Sequence, residues 1–183
     1  MGFIALVVVW MEVWSCWFIG NAPIARDLMR IPDRYMPLVQ SKMYDHDVLA
    51  GDLALFAGWV HTESRWRPYA MRYEPAFRRT YVDGIPELSE TERVGRSTSW
   101  GLLQIMGQTA REFGYTEPYL SGLCDPDTNI DLAARILKTR FAIDGNWDGA
   151  LARYNGGFRG NRQPPYRNAY YVMAVHQHAE MYR

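Results

Sequence analysis

The sequence predicts an all-α fold with at most a minor β-hairpin, and two observations support that prediction. Apolar residues recur at spacings of three and four along much of the chain, which is the period of one helix face. Side chains that cap helix N-termini stand before several of these stretches, and glycines stand after them. The 183 residues are enough for one compact domain with a hydrophobic core.

The first part of the chain predicts two helices followed by irregular structure. Prolines in residues 21–37 indicate a loop-rich segment. Helices are expected over residues 36–45 and 50–64, where apolar residues follow the helical period. Prolines at positions 68, 75 and 86 then indicate irregular, partly extended chain over residues 65–86.

Capping signals define the middle of the chain. Ser89 with Glu92, and Thr109 with Glu112, have the spacing of a capping box, so each pair predicts a helix start. Between the two pairs, "STSWGLLQIMG" is a short apolar run that predicts an extended segment. Short helices on both sides of a brief extended segment are therefore expected.

Longer helices are expected in the last third of the chain. Asp125 is placed to cap a helix whose first residue is Pro126. An apolar stripe over residues 147–154 predicts the next helix, which Gly156 and its neighbouring glycine would end. A final helix is expected over residues 166–182.

Residues 3–20 are almost entirely apolar and are interrupted by Glu12 and Ser15. Their length approaches that of a membrane span, but a signal peptide would carry Lys or Arg before the apolar run. We interpret the segment as membrane-inserting or as a signal anchor. The alternatives are an element packed on the domain or on a partner, and an upstream extension outside the working protein. Residues 1–29 are thus assigned to an apolar segment with a linker, and residues 30–183 to the folded domain.

The charge balance narrows the range of partners. The formal net charge is zero and the pI is about 6.9, so charge offers no argument for nucleic-acid binding. The four histidines show no metal-binding spacing: His176 and His178 share no helix face, and H-E-x-x-H is absent. No metal or cofactor is expected.

Glu63 is the first candidate for chemistry, because it falls on the apolar stripe of Phe56 and Val60 at the end of a predicted helix. A carboxylate there is either paired or pushed toward its neutral form. Apolar neighbours would raise its pKa and make it a general acid near neutral pH. The alternative is a structural ion pair with Arg65, Arg67 or another of the many nearby arginines.

Two other stretches place polar groups among apolar ones. Gln104 is an amide inside "SWGLLQIM", the run that begins at Ser99, and such an amide binds either its own backbone or a ligand. Tyr154 and Asn155 lie in "ARYNGG". Taken alone, they are a tyrosine that fills the core and an asparagine near a helix end.

Taken together, the three stretches resemble one known family. The order E-S at Glu63, G-L-L-Q-I-M from Gly101 and Y-N-G-G from Tyr154 is similar to that of the lytic transglycosylases of glycoside hydrolase family 23. These belong to the lysozyme-like superfamily, and the family also holds the goose-type lysozymes. The stretch "DPDTNIDLAARIL" from Asp125 also looks like a pattern of the family, and the resemblance covers roughly residues 36–178. It implies an all-helical lysozyme-like fold with a groove for glycan strands.

The resemblance also implies roles for the matching residues. Glu63 would be the sole catalytic acid/base. It would protonate the oxygen leaving from N-acetylmuramic acid, and then take the proton from that sugar's 6-hydroxyl while a 1,6-anhydro ring closes. The substrate's N-acetyl group would stabilise the cationic centre. Gln104 would line the site, Tyr154 would hydrogen-bond the acid, and Asn155 would help to position the N-acetyl group.

Other residues are candidates for contact with the sugars. Ser99 and Tyr166 are expected to bind substrate. Several aromatic side chains are placed to stack on sugar rings, unless they fill the core: Tyr69, Tyr73, Trp100, Tyr115, Phe158 and Tyr166.

The chain between Glu63 and Gly101 is longer than in the simplest members of this family. It brings four candidates for a second carboxylate: Glu74, Asp83, Glu90 and Glu92. A second carboxylate could activate water and make the enzyme a peptidoglycan hydrolase, that is, a muramidase or endolysin.

The expected function is therefore that of a peptidoglycan lytic transglycosylase that cleaves the β-1,4 bond between N-acetylmuramic acid and N-acetylglucosamine. The alternatives are the hydrolase and a non-catalytic glycan-binding or virion structural module, although a binder needs no acid. The expected partner is the peptidoglycan glycan strand, with attachment to a membrane or a larger assembly through residues 1–20. The expected location is the periplasm or cell envelope, or a phage.

Overall fold

The computed structural model describes residues 29–157 and 164–183, in which eight helices accompany one small sheet. The elements, in chain order, are α1 (Met36–His46), α2 (Leu53–Ser64), β1 (Met71–Tyr73), α3 (Pro75–Phe77), α4 (Glu90–Arg96), β2 (Thr98–Trp100), β3 (Ile105–Met106), α5 (Gly107–Glu112), α6 (Pro126–Asp144), α7 (Trp147–Gly156) and α8 (Ala169–Ala179). The prediction of a mostly helical, lysozyme-like fold is confirmed, and the minor hairpin is a three-stranded sheet.

Helix α2 lies in the centre of the core. Residues 55–60 are all buried, and Phe56 and Trp59 are completely inaccessible to solvent. A helix that is buried on every side over this length must be apolar all round rather than along one stripe. The apolar stripe that the sequence shows is therefore one part of a fully enclosed segment.

Helices α2 and α8 approach each other closely at Gly58. A Cβ atom on Gly58 would lie 2.4 Å from the carbonyl oxygen of Val175 and 2.5 Å from the amide nitrogen of Ala179. These are backbone atoms, so they cannot turn aside as a flexible side chain could. Nearby, Thr62 Oγ1 lies 2.8 Å from Nδ1 of His178, which adds a side-chain contact between the two helices. The absence of a side chain at Gly58 therefore sets the distance between α2 and α8.

Helix α6 begins as the sequence predicts and holds the sheet in place. Asp125 accepts a hydrogen bond from a first-turn amide, and Pro126 is the first helical residue. The side chain of Asn129 is fully buried. Its Oδ1 accepts a hydrogen bond from the Leu103 amide at 2.8 Å, and its Nδ2 donates to the Trp100 carbonyl at 2.9 Å. Asn129 thus fixes the turn between β2 and β3 against α6.

The three strands form an antiparallel sheet in the order β1-β2-β3. Met71 lies opposite Trp100, and Trp100 lies opposite Ile105. The tight turn after β2 has positive φ angles at Gly101 (78°) and Gln104 (48°). Glycine is required at position 101, because a Cβ there would lie 2.3 Å from the buried Asn129 amide.

The chain between β1 and β2 packs into helical turns that arginines hold together. Arg78 binds Asp83 and pairs with both carboxylate oxygens of Glu90. Helix α3 leads into a π-helical turn at Arg78–Val82 before α4 begins. The irregular structure predicted for residues 65–86 is therefore only partly right, because β1 and these helical turns lie within it.

Some helix boundaries differ from the predictions. Helix α2 begins three residues later than expected, because Ala50 has a φ of 52° and Asp52 is the N-cap. Helix α5 begins at Gly107, so Thr109 lies inside it and the predicted capping box with Glu112 is wrong. Helix α8 is shorter at both ends than the predicted residues 166–182.

The apolar segment at residues 3–20 lies outside the described residues, as does Phe158. Among the helices that the structure describes, none is both long enough and apolar enough to span a membrane. The division at residues 29 and 30 stays a prediction.

The close approach at Gly58 leads to a stability prediction. Gly58→Ala should lower the free energy of unfolding by about 3 kcal/mol, since the new methyl group forces two backbones apart. Gly84→Ala is the matched control, because nothing lies within 4 Å of the corresponding Cβ position. Urea unfolding of both variants measures the difference. Equal midpoints for the two variants would contradict a rigid contact between α2 and α8.

Candidate active site

A cavity of about 1410 Å³ lies beside the C-terminal end of α2, with walls from β1, the β2–β3 turn, α5, α6, α7 and α8. The structure brings together most of the residues that the sequence singled out. Those that line the cavity are Glu63, Glu74, Ser99, Gln104, Tyr154 and Asn155. Tyr166 is not among the described residues that line it.

Glu63 occupies the last turn of α2, which ends at Ser64. The next two residues, Arg65 and Trp66, both adopt a left-handed conformation, with φ angles of 53° and 61°. Such a conformation costs a non-glycine residue about 1–2 kcal/mol. This sharp turn returns Trp66 to the core and leaves the half-buried Glu63 side chain in the wall of the cavity.

The hydrogen-bond partner of Glu63 is Tyr171, in α8. The Tyr171 hydroxyl donates to Oε1 of Glu63, across 108 residues of sequence. Burial raises the pKa of the Tyr171 hydroxyl well above its ordinary value, so the group keeps its proton and acts as a donor. When Glu63 is protonated, its proton therefore belongs on Oε2, the oxygen that Tyr171 does not contact. No ion pair joins Glu63 to Arg65 or Arg67, and the arginine whose charge acts on Glu63 is Arg72.

The surroundings of Glu63 favour its neutral form. Loss of solvation raises the pKa of the carboxyl group to about 7. The hydrogen bond from Tyr171 and the positive charge of Arg72 both lower the pKa, but they offset only part of the effect of burial. A carboxylic acid that keeps its proton near neutral pH can act as a general acid.

Sequence analysis did not identify Tyr171, although a signal was present. Tyr171 and Val175 lie on the buried stripe of α8, while the neighbouring Tyr170 is exposed. A buried tyrosine usually requires a hydrogen-bond partner for its hydroxyl. The helical period could have indicated Tyr171 as the inward-facing one of the two, but not which residue it contacts.

The side chain of Gln104 forms hydrogen bonds with the backbone around it. Its Nε2 donates to the carbonyl oxygens of Ala70 at 3.0 Å and Gly101 at 2.9 Å, and its Oε1 accepts from the Ser99 hydroxyl at 3.0 Å. Gln104 therefore binds backbone, and it also lines the cavity. Both amide hydrogens are used, so Gln104 and Ser99 stabilise the cavity wall formed by β1 and the β2–β3 turn.

Tyr154 does not make the hydrogen bond that the family resemblance implies. Its hydroxyl donates to the carbonyl oxygen of Leu103 at 2.7 Å, and its ring packs edge-on against Trp59 with centroids 4.8 Å apart. The hydroxyl that contacts Glu63 belongs to Tyr171 instead. The physical reason is that Tyr154 is close enough to the β2–β3 turn to satisfy a backbone carbonyl there.

Among the described residues, Asn155 lines the cavity and Tyr166 does not. Asn155 is exposed at the end of α7, and its Oδ1 accepts a hydrogen bond from Asn168 at 3.0 Å. The hydroxyl of Tyr166 donates to Asn146 at the start of α7, and substrate binding by Tyr166 stays a prediction. Beside the predicted Tyr69 and Tyr154, four aromatic residues line the cavity that were not predicted to contact substrate: Trp66, Phe77, Tyr81 and Tyr171.

Of the four candidates for a second carboxylate, only Glu74 lines the cavity, where it pairs with Arg72. Asp83 and Glu90 bind Arg78, and Glu92 binds Arg96 and Arg111. These three carboxylates stabilise the chain between β1 and α5 and are not among the residues that line the cavity. Sequence analysis missed Glu112, an exposed lining residue that accepts a hydrogen bond from Gln108.

No cluster of three or more potential metal ligands occurs in residues 29–157 and 164–183. The arrangement at Glu63 consists of a carboxylic acid, the hydroxyl of Tyr171 that donates to it, and the adjoining cavity.

The raised pKa of Glu63 predicts how stability depends on pH. From about pH 4.5 to about pH 7 the unfolded chain loses this proton while the native protein keeps it, so ionisation favours unfolding. Glu63→Gln removes this effect. The variant should gain stability relative to wild type as pH rises through that window, by roughly 3 kcal/mol in total. Urea unfolding of both proteins at pH 5 and pH 8 measures the change. Parallel shifts in the two proteins would contradict a burial-driven rise in the pKa of Glu63.

Comparison with known families adds an independent observation to this geometry. The profile of the Transglycosylase SLT domain family matches residues 49–170, a range that contains Glu63, Gln104 and Tyr154. No curated protein and no solved structure matches the chain. The family match spans well over half of the sequence and includes every described residue that lines the cavity except Arg34 and Tyr171. The chain therefore belongs to the transglycosylase SLT domain family.

Proposed function

We propose that this protein is a peptidoglycan lytic transglycosylase in which Glu63 is the catalytic acid and base. The reaction cleaves the β-1,4 bond between N-acetylmuramic acid and N-acetylglucosamine and leaves a 1,6-anhydro sugar. The observation that carries the proposal is a carboxyl group with a pKa of about 7 in the wall of a large cavity. Membership of the SLT domain family supports the same class of activity.

In the first step Glu63 gives its proton to the oxygen that leaves with N-acetylglucosamine, and the bond from C1 of N-acetylmuramic acid to that oxygen breaks. The carbonyl oxygen of the substrate's own N-acetyl group stabilises the cationic carbon, so this step needs no second carboxylate. The proton on Oε2 is the one available for transfer, because Oε1 accepts the hydrogen bond from Tyr171.

In the second step the Glu63 carboxylate takes the proton of the 6-hydroxyl of N-acetylmuramic acid. That oxygen attacks C1, displaces the N-acetyl oxygen and closes the anhydro ring, which restores the protonated acid. One group thus donates a proton and later accepts one. A pKa near the working pH suits both roles, since neither protonation state is then costly to reach.

Tyr171 is a positioning residue in this proposal. Its hydroxyl stabilises the Glu63 carboxylate that forms in the first step, and it adds no charge that would hold the acid ionised beforehand. An arginine in the same place would lower the pKa of Glu63 and leave less of the acid protonated at neutral pH.

A hydrolase is the second candidate function, and Glu74 is the observation that favours it. Glu74 is the one candidate carboxylate in the cavity wall, and its side chain is 30% exposed. It could activate water only if its ion pair with Arg72 opened. A binding module without catalysis has less support, because a binder gains nothing from an acid whose raised pKa lowers the stability of the fold.

The test of the proposed reaction is digestion of isolated peptidoglycan, with products resolved by mass spectrometry. Wild type should release anhydro-muropeptides, and Glu63→Gln should be slower by a factor of about 10³ because the acid is lost. Glu74→Gln is the matched control and should keep most of the activity. Reducing-end products that disappear in Glu74→Gln would establish the hydrolase instead. Absence of cleavage by a folded wild-type protein that still binds the wall would favour the binding module.

The pH dependence of activity gives a second test. Because the protonated form of Glu63 is needed first, kcat/KM should fall as pH rises above about 7. Tyr171→Phe removes a hydrogen bond that lowers the pKa of Glu63, so the falling limb should move to higher pH while the maximum rate decreases. A profile in Tyr171→Phe with the same alkaline limb as wild type would contradict coupling between the two groups.

Attachment to a membrane or a larger assembly through residues 1–20, and a location in the cell envelope or on a phage, stay predictions from the sequence. Their basis is the apolar composition of that segment and the location of peptidoglycan. A protein that lacks residues 1–29 should cleave isolated peptidoglycan at the same rate but lose its localisation. Equal localisation of the truncated and full-length chains would remove the basis for an anchoring role.

A further inference from the structure

One side chain near the C-terminal end of the chain, Tyr182, binds the end of α2. Its hydroxyl oxygen accepts a hydrogen bond from Nε1 of Trp66 at 2.8 Å and lies 2.9 Å from Nδ1 of His61. His61 precedes Glu63 in the sequence and Trp66 follows it. Tyr182 therefore contacts the chain on both sides of the proposed acid, and we call the set of Tyr182, His61 and Trp66 the brace.

The turn that the brace spans has an unfavourable backbone conformation. Arg65 and Trp66 both have positive φ angles, of 53° and 61°. Residues other than glycine keep such angles only where the surrounding contacts hold them. The Trp66 ring also stacks on Tyr35, with centroids 5.7 Å apart. Side-chain contacts to Trp66 thus keep the turn, and with it the last turn of α2, in place.

The hydrogen positions in the brace follow from its donors. The indole nitrogen of Trp66 can only donate, so the Tyr182 oxygen accepts from it. The hydroxyl has one hydrogen of its own. In the part of the chain that the structure describes, Nδ1 of His61 is the acceptor within hydrogen-bonding distance of that hydroxyl. Nδ1 therefore accepts, which requires a neutral imidazole with its proton on Nε2.

The neighbouring His178 has the opposite arrangement. Its ring centroid lies 4.5 Å from that of His61. The Thr62 hydroxyl donates to the carbonyl oxygen of Gly58 at 2.7 Å, so it accepts from Nδ1 of His178 at 2.8 Å. Because Nδ1 of His178 already carries a hydrogen, this bond survives when the ring gains a second proton. Of the two histidines, His61 is the one whose hydrogen bond requires the neutral form.

The surroundings of His61 favour that neutral form. Burial and the positive charges of His178 and Arg65 lower the pKa of His61. The carboxylates at the ends of the two helices, Glu63 and Glu180, are bonded to other partners. His61 is therefore neutral at pH 7. At acid pH a proton on Nδ1 would remove the acceptor of the brace hydroxyl.

We propose that Tyr182 is a positioning residue for the reaction, which together with neutral His61 holds the last turn of α2 and keeps Glu63 buried in the cavity wall. The proposal rests on the proposed function, because it names a residue that acts on the same acid. Neither Tyr182 nor His61 is among the described residues that line the cavity, so loss of the brace should lower kcat and leave KM almost unchanged. A second proton on His61 should have the same effect as loss of the Tyr182 hydroxyl.

The test is the pH dependence of kcat/KM on soluble glycan strands. The proposed reaction begins with protonated Glu63, so Glu63 itself causes no loss of activity at acid pH. In wild type, kcat/KM should fall as pH decreases below 6.5, the ordinary pKa of histidine, to a level about three- to tenfold lower. Tyr182→Phe should have that lower activity already at neutral pH, through kcat, and should lose no more at acid pH.

Two further variants sharpen the test. The side-chain oxygen of His61→Asn can take the place of Nδ1 as acceptor but cannot gain a proton, so this variant should keep activity at neutral pH and lose the acid limb. His176→Gln is the matched control, since His176 also lies in α8 but contacts Asp148. It should have the profile of wild type.

Thermal unfolding of each variant verifies that it folds. An acid limb that persists in Tyr182→Phe or in His61→Asn would overturn the proposal. So would a kcat in Tyr182→Phe equal to that of wild type at neutral pH.

A titration without substrate separates this proposal from the proposed reaction. Carbon-13 NMR of the Glu63 carboxyl group should give a lower pKa in Tyr182→Phe than the value of about 7 in wild type, because a looser turn admits water to the acid. If wild type yields no anhydro product but this lower pKa is seen, the reaction assignment fails and the brace stands. If anhydro product forms and Tyr182→Phe changes neither the pKa nor kcat, the brace fails and the reaction stands.

Discussion

The close approach of α2 and α8 at Gly58 is the constraint on which the site depends. Only a residue without a side chain allows the α2 backbone to lie against Val175 and Ala179. One and a half turns further along α2, the same pair of helices places the Tyr171 hydroxyl on the Glu63 carboxyl group. A wider separation would break that hydrogen bond and admit water to the acid, and with water its pKa would return toward that of an ordinary glutamate.

The burial that keeps Glu63 protonated near neutral pH also lowers the stability of the folded protein. Buried carboxyl groups in proteins are usually compensated by arginine or lysine, and the chain has many arginines, several of which bind other acids. At Glu63 the direct partner is a tyrosine, which orients the carboxyl group without a formal charge. The cationic Arg72 is close enough to lower the pKa, but it is exposed and its own partner is Glu74. Burial therefore dominates the pKa of Glu63.

The polar residues around the site serve mainly to shape its walls. Gln104 uses both amide hydrogens on backbone carbonyls, and the buried Asn129 holds the β2–β3 turn from the other side. The Tyr154 hydroxyl satisfies a carbonyl of the same turn. A tight turn exposes backbone groups that cannot all bond to each other, so buried side chains must satisfy them. Residues of short motifs that look like ligand contacts in a sequence can thus line a cavity and at the same time stabilise its walls.

Local patterns were enough to predict the helical class, the capping of α6 by Asp125 and the burial of Glu63 on an apolar helix, because each depends on residues within a few turns of one another. The order of three short motifs was enough to indicate the family. Helix starts at Leu53 and Gly107 were predicted less well, since positive φ angles and sheet pairing set them. The hydrogen bond between Glu63 and Tyr171 and the ion pair between Glu92 and Arg111 depend on contacts between distant parts of the chain. Such contacts follow from how whole helices pack, and a periodic pattern shows which face of a helix is buried without showing what it is buried against.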